Sequence, residues 1–385
     1  VKSRTVASWP KTTFGRLARI GNGADYSGVE VEHGGYPVYG SGGEFRRASS
    51  YLFDGESVLF GRKGTVDRPL HVSGKFWTVD TMFYSVIDRS RLLPRFAYYW
   101  ATTLPFRAWA TDTALPSMTS SAIKAAPIML PPMMEQRAIA DYLDRETAQI
   151  DAFIAKNEEL IALLTERRAS SIVELIGSHE TIPLKRLVSP RRPLTYGILQ
   201  CGEPVENGIP YIGPSDLPGE GVSPVLASLR RTTPEIAAAY RRSVLAGGDI
   251  VVSIGPAFGR VGLLSDDLAG ANLTQDTVRV AAMPEKIDAH YLVWVLSSRI
   301  ADDFWDYEIL GATFRRLNLG TLGETPIPLP SVDEQQRIAG MVDDAVAKID
   351  TAINVARQAV KLASERRTAL ISAAVTGKID VREAA

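Results

Sequence analysis

Residues 127–172 read PIMLPPMMEQRAIADYLDRETAQIDAFIAKNEELIALLTERRASSI, and residues 326–371 read PIPLPSVDEQQRIAGMVDDAVAKIDTAINVARQAVKLASERRTALI. The two stretches align without a gap at a constant offset of 199 residues. Matched pairs include Pro127/Pro326, Leu130/Leu329, Pro131/Pro330, Glu135/Glu334, Gln136/Gln335 and Ile139/Ile338. They continue through Asp144/Asp343, Ile150/Ile349, Asp151/Asp350, Ile154/Ile353, Arg167/Arg366 and Arg168/Arg367. Chance matches about one position in fifteen at ordinary composition. The chain is therefore a tandem duplication, each copy a variable front part followed by a long helix.

Apolar residues at 139, 143, 150, 153, 160 and 164 recur at three- and four-residue steps, the stripe of one helix face. The pattern predicts a central helix over 132–177 with Gly177 as its C-cap. The second stripe runs 342, 346, 349, 353, 356, 360, 363 and 370, a 3.5-residue period over a helix within 331–385. Ser331 and Glu334 have the spacing of a reciprocal capping box at its start, whereas Pro132 stands at the serine position of the first copy. A helix of about 45 residues with one apolar stripe needs a partner. The two helices are expected to pair antiparallel, as a coiled coil that relates the halves by a pseudo-two-fold axis.

Working outward, residues 1–131 and 178–330 read as two globular, strand-rich α/β domains, giving an α+β chain overall. Gly and Pro punctuate short segments in the first: GNGADYSG, GGYPVYGSGG and GRKG. Ser57–Phe60 and Lys75–Ile87 carry the β-branched and aromatic content of strands, and Arg95–Ala110 reads as an aromatic helix interrupted by Pro105. The second domain repeats the plan. GDIVVSIGPAFGRVG parallels GESVLFGRKGTVD, LTQDTVRV parallels FWTVDTMFYSV, and Asp288–Trp305 stands where the aromatic helix stood.

The totals restrict the function. Net charge is −1 over 385 residues, so a protein that coats a duplex through bulk positive charge is excluded, though a local basic face is not. One cysteine, Cys201, excludes an intramolecular disulfide, and the four histidines lack metal-ligand spacing. No apolar run reaches the roughly 18 residues of a membrane span, and VKSRTVASWP lacks the apolar core of a signal peptide. A soluble, cytoplasmic protein without a membrane partner is expected. No nucleophile elbow, C-x-x-C pair or phosphate loop occurs, so no catalytic residue and no metal are assigned. Asp80 and Asp276 match between the halves and read as strand-end hydrogen-bonding carboxylates.

Basic dipeptides concentrate in the globular domains: Arg46-Arg47 and Arg62-Lys63 in the first, Arg191-Arg192, Arg230-Arg231, Arg241-Arg242 and Arg315-Arg316 in the second. An arginine fork binds a phosphate or the O6/N7 edge of guanine, although most exposed arginines are simply solvated. The candidate DNA contacts are Tyr39, Arg46, Arg47, Arg62, Lys63, Arg68, Arg191, Arg192, Tyr196, Arg230, Arg231, Arg260, Arg315 and Arg316. Arg167-Arg168 and Arg366-Arg367 lie on the helices, where pairing with the neighbouring Glu166 or Glu365, or plain solvation, is expected.

The PIxLPxxxEQxxIA segments, the ERR-bearing long helices and the closing LISAAVTGKID resemble the specificity subunits of type I restriction-modification systems. GIPYI and GDIVVSIG are similar to parts of that family's target recognition domains, while GGYPVYG departs from the GIPYI form in the first domain. The resemblance implies that each domain reads one half of a bipartite target on double-stranded DNA. It further implies that the helices act as spacer and dock two modification subunits through Glu135, Gln136, Ile139, Ile150, Ile154, Glu334, Gln335, Ile338, Ile349 and Ile353. Those methyltransferase subunits, not this chain, would bind S-adenosylmethionine, and restriction subunits (translocase-nucleases) would join them. This chain would bind no cofactor and would not itself be an enzyme.

Positions alike in both halves cannot explain two different half-sites. Base readers are therefore expected where the halves differ: 39–47 and 62–68 in one, 191–196, 215–221 and 230–231 in the other. Two other readings compete: a coiled-coil adaptor that binds only protein, and a DNA-modifying enzyme with an unrecognised site.

Overall fold

The computed structural model describes residues 9–111, 116–309 and 315–381. The chain divides into two compact units: Val1–Glu158 with Arg357–Ala385, and Glu159–Ala356. Each unit thus contains one globular domain and a segment of both long helices.

In unit 1, β1 (Lys11–Thr13) leads to β2 (Ala18–Asn22), β3 (Glu30–Val31), β4 (Tyr36–Gly40), β5 (Gly43–Ala48) and β6 (Phe53–Asp54). There follow β7 (Ser57–Gly61), β8 (Leu70–Val72), β9 (Lys75–Thr78), β10 (Met82–Ile87), α1 (Pro94–Ala101), α2 (Phe106–Trp109), α3 (Ser120–Ala125) and β11 (Pro127–Met129). An antiparallel sheet ordered β2-β10-β7-β8 carries the core, and a second sheet, ordered β3-β5-β4-β9-β6, lies in the same domain. Every residue of β7 is buried, so its one polar side chain must be satisfied within the protein. The Ser57 hydroxyl donates to the Ser85 carbonyl at 2.7 Å and accepts from the Ser85 amide at 3.0 Å. The expected strand over 75–87 is broken at 79–81, where Met82 N–H bonds Val79 C=O and turns the chain from one sheet to the other. The aromatic helix does break before Pro105, into α1 and α2.

The long helix α4 (Met133–Ile176) follows Pro131-Pro132, and Gly177 ends it at φ +72°, the left-handed conformation expected of a glycine C-cap. Unit 2 then runs through β12 (Thr181–Pro183), β13 (Thr195–Tyr196), β14 (Ile209–Ile212), β15 (Arg231–Thr232), α5 (Pro234–Ala239) and β16 (Ile250–Ser253). It continues with β17 (Val261–Leu263), β18 (Asn272–Leu273), β19 (Thr277–Val280), α6 (Ala289–Leu296), α7 (Arg299–Glu308), α8 (Leu319–Glu324), β20 (Pro326–Pro328) and α9 (Val332–Val375). Its core sheet, β13-β19-β16-β17, has the antiparallel plan of the first. β16 is buried along its whole length, which is why it reads as the apolar run Ile250–Val252, and its one polar side chain, Ser253, donates to Ala257 C=O at 3.0 Å. Among the described residues no helix is long and apolar enough to cross a membrane.

The duplicated segment closes each domain in the same way. Its first residues form β11, which pairs with β1 (Thr12 opposite Ile128), and β20, which pairs with β12 (Ile182 opposite Ile327). Each domain's entry strand therefore lies beside the strand that leads into its helix. The helix ends belong to the domain cores. Ile139 and Leu143 of α4 share a cluster with Ile371, Ala374 and Val375 of α9 and with Phe96 and Trp100 in unit 1. Ile172 and Ile176 of α4 share one with Ile338 and Val342 of α9 and with Leu292 and Trp305 in unit 2. Within each unit the two helix segments run antiparallel, as expected. In unit 1 the described chain also ends beside its beginning: a Cβ on Gly377 would come within 3.1 Å of the Trp9 ring.

Two local expectations are corrected. On α4, Phe153 and Leu160 are exposed, and 154, 157 and 161 face inward in their place, while 164 faces inward as expected. Polar Asn157 interrupts the true stripe, so the apolar neighbours gave a slipped reading. At the start of α9 only half of the capping box forms. Ser331 Oγ accepts from the Glu334 amide at 3.4 Å, while the Glu334 carboxylate is taken by Arg337.

Candidate nucleic-acid interface

Several residues common to both halves are committed to scaffold. Gln136 is fully buried in the first turn of α4 and uses its amide in both directions. Its Oε1 accepts from the Leu93 N–H at 2.7 Å, and its Nε2 donates to Arg91 C=O and Pro131 C=O, both at 2.9 Å. Gln335 repeats this, accepting from Asp288 N–H at 2.7 Å and donating to Lys286 C=O and Pro330 C=O at 3.2 and 2.9 Å. Each glutamine thereby ties the loop before the aromatic helix to the first turn of the long helix. The Asp144/Asp343 pair also recurs: Tyr99 O–H donates to Asp144 at 2.6 Å, and Trp294 Nε1–H donates to Asp343 at 2.9 Å.

Of the paired arginines singled out on the helices, Arg167 and Arg366 are exposed, whereas Arg168 and Arg367 pair neither with Glu166 nor with Glu365 but across to the other helix. In unit 1, Arg367 of α9 reaches Asp151 of α4 at 2.8 Å. In unit 2, Arg168 of α4 reaches Asp350 of α9 at 2.7 Å and holds Glu220 of the globular domain with both terminal nitrogens, at 2.6 and 2.5 Å. Burial alone would pull the Arg168 pKa down, but hydrogen bonds and charge from Glu220 and Asp350 outweigh it, and the group is held above its ordinary value. Glu220 adopts φ +49°, uncommon for a residue with a side chain, between Gly219 and Gly221.

Ile139, Ile150, Ile338 and Ile353 are buried within their own units, Ile154 and Ile349 are half-buried, Glu135 accepts from Trp9 Nε1–H at 2.9 Å, and Glu334 holds Arg337. With the two glutamines, these residues were expected to dock partners. Gln136, Gln335, Glu135 and the buried isoleucines are engaged within this chain, whereas Ile154 and Ile349 stay partly open and Glu334 pairs only along its own helix.

The structure sorts the expected DNA contacts into committed and available groups. In unit 1, Tyr39 packs edge-on to Phe76, and burial raises its pKa. Arg46 is paired with Glu30 at 3.1 Å. Arg47 is paired with Glu44 at 2.9 Å and also donates to Gly34 C=O and Gly35 C=O, so it braces a hairpin. Arg62 lies over the Phe83 ring and donates to Asp80 C=O at 3.3 Å. The side chains of Lys63 and Arg68 are exposed, with no hydrogen-bond or ion partner among the described residues.

In unit 2, Arg192 binds buried Asp249 through both terminal nitrogens, at 2.7 and 2.6 Å. Arg230 lies over Tyr211, and Arg231 and Arg260 each donate to a backbone carbonyl at 3.2 Å. Arg315 is held by Asp306 and the Phe258 face, and Arg316 by Asp276 at 2.7 Å. Asp276 thus serves as an ion-pair partner at a strand end. Arg191 and Tyr196 are exposed and available.

Two cavities in unit 2 gather residues distant in sequence. One, of about 420 Å³, brings Tyr196 together with Gln275, Arg316 and Asn318. The other, of about 660 Å³, brings Arg191 and Arg192 together with Arg241, Arg242 and Arg279. Arg241 and Arg242 were visible as a basic dipeptide without being counted among the contacts. Arg279 was missed, although an arginine inside the apolar strand TVRV was itself the signal. Among the described residues no group of three or more His, Cys, Asp or Glu could hold a metal ion.

The family model described as type I restriction modification DNA specificity domain matches this chain twice, over residues 9–162 and 203–358. The chain belongs to the type I restriction-modification specificity family. The first match spans one globular domain and part of the long helix after it; the second starts inside the other domain and likewise runs into its helix. The chain is 23% identical to the EcoBI specificity subunit of Escherichia coli over 97% of this chain and 86% of that one. It is 25% identical to the MjaVIII specificity subunit of Methanocaldococcus jannaschii over 86% and 79%. The fold matches a chain solved in a study of complex assembly and conformational transition of the type I R-M system, with TM-score 0.74 and 14% identity over 98% of this chain and 100% of that one. It also matches the HsdS subunit from Thermoanaerobacter tengcongensis, with TM-score 0.52 and 13% identity over 97% of both. Both structures support the fold assignment of this specificity-family chain.

Proposed function

We propose that this specificity-family chain is the DNA-reading component of a cytoplasmic restriction-modification complex. Each globular domain reads one half of a bipartite duplex sequence, and the paired helices act as spacer. One observation carries this reading: within the globular domains and at the helix starts, repeated residues such as Gln136/Gln335 and Asp144/Asp343 are committed internally, while uncommitted cations and aromatics of the globular domains lie where the halves differ. Lys63 and Arg68 in one domain, and Arg191, Tyr196, Arg241 and Arg242 in the other, are free to meet a different ligand surface in each half. A few such side chains suffice, because base edges are read by single bidentate or stacking contacts.

The chain performs no chemistry in this reading. Two modification subunits hold S-adenosylmethionine and methylate the DNA, and restriction subunits complete the complex. Apolar residues left exposed on the helices are the docking candidates: Phe153 and Leu362 in unit 1, Leu160, Leu163 and Val355 in unit 2. The deciding experiment replaces residues 1–131 with the corresponding domain of another specificity subunit and maps methylation across a genome. One half of the motif should change and the other stay. A swap that altered both halves, or neither, would refute modular reading.

A further inference from the structure

The arginine-lined cleft of unit 2 is built for more than solvated charge. Its walls are the segments 190–195 and 241–246, and Arg279 of β19 lies between them. Arg279 is 3% exposed, the one fully buried arginine among the described residues. Its Nη1 donates to Arg242 C=O and Val244 C=O at 2.7 and 2.9 Å, and its Nη2 to Pro193 C=O at 3.3 Å. Its Nε–H has no partner. A buried charged donor left unpaired is costly, and in folded proteins it calls for a specific reason.

The charge around it is equally unbalanced. Arg191, Arg192, Arg241, Arg242 and Arg279 line one cleft, and the carboxylate that answers them is Asp249, already bound bidentately by Arg192. Arg191, Arg241 and Arg242 are exposed and unpartnered among the described residues. Burial, with Arg192 adding to it, lowers the Arg279 pKa, as expected where positive charge is undercompensated. The edge strand β13 borders both cavities: Thr195 lines this one, and Tyr196 lines the pocket that holds Gln275, Arg316 and Asn318.

We propose that this cleft is a phosphate clamp that takes a backbone phosphodiester of the duplex whose bases the neighbouring pocket reads. The assignment rests on the DNA-reading function proposed above. Guanidinium forks match two oxygens of a phosphodiester, and a contact to phosphate positions the protein without carrying sequence information. Arg279 supplies a fixed, undercompensated positive charge in the cleft wall, and the three exposed arginines supply the mobile donors.

The test uses the full chain assembled with its modification subunits, and a triple variant Arg191→Gln, Arg241→Gln, Arg242→Gln. These side chains are exposed, so the variant should fold. Duplex binding is measured across salt on the target and on a scrambled sequence. The clamp predicts an equal loss on both, about 10- to 100-fold at low salt, and a log K against log salt slope shallower by about one, the share of the single phosphate it holds. Loss confined to the target would make these residues base readers and overturn the clamp; an unchanged slope would overturn it as well.

If the wild-type complex binds no duplex at all, the proposed function fails and the cleft is judged separately. Melting is then followed with inorganic phosphate against chloride at matched ionic strength. Stabilisation of the wild type but not of the variant keeps the cleft as a site for a small phosphate ligand. Stabilisation of neither removes it.

Discussion

At the scale of single residues, Gln136 and Gln335 are the most informative. A glutamine in the first turn of a helix is ordinarily a solvated surface residue, and nothing in EQ marks it as buried. Only the tertiary fold brings three backbone groups within reach of its amide. Gln136→Leu keeps the volume but leaves Leu93 N–H and two carbonyls without that partner. The expected loss is about 3 kcal/mol, with unit 1 melting first in chemical denaturation followed by hydrogen exchange. A loss below about 0.5 kcal/mol would mean water replaces the amide freely. His71 gives a pH signature in the same unit. Burial holds its pKa below the ordinary value, with Glu56 opposing and Arg95 assisting, and its Nε2 is unpartnered. The unfolded state therefore binds a proton more readily than the folded one, so this group's contribution falls as pH drops below about 6.5. The melting temperature should decline between pH 7.5 and 5.5 in the wild type, and decline less in His71→Gln.

At the scale of elements, the long helices were legible from sequence because their identities recur, and the stripe on α9 was correct at every position named. The α4 stripe slipped because Asn157 occupies an inward position while Phe153 and Leu160 lie outward. Hydrophobicity marks a face only when the buried positions are apolar. The cross-helix bridges were invisible for a related reason: Asp151/Asp350 and Arg168/Arg367 match in sequence, but which helix supplies each partner depends on antiparallel packing. The two bridges should not be worth the same. Arg367 with Asp151 is a partly exposed pair, worth about 0.5 kcal/mol. Arg168 is more enclosed and separates two carboxylates, so Arg168→Leu leaves Glu220 and Asp350 facing each other. It should cost about 2 kcal/mol or more. Comparing the two leucine variants by urea denaturation tests this; equal losses would show that the Glu220 arm contributes nothing.

At the scale of the whole molecule, the duplication, the two domains and their order could be read directly, because repeats survive without knowledge of packing. The binding surface could not. Of the arginines singled out by sequence, Arg46, Arg47, Arg192, Arg315 and Arg316 are answered by carboxylates far away in the chain or across a turn. Availability is a property of the partner's position, and no local pattern records it. The contact between Trp9 and Gly377 carries a different consequence. A short bridge could join the described ends, and new ends could be opened in the turn at 177–180 between α4 and β12. Such a circular permutant would present the domains in reversed order along the chain while keeping every strand pair and both glutamine ties. It should melt within a few degrees of the parent and read the same two half-sites. Covalent order along this polypeptide would then be a matter of gene layout, and the strand pairs and glutamine ties within each unit would be what heredity must preserve.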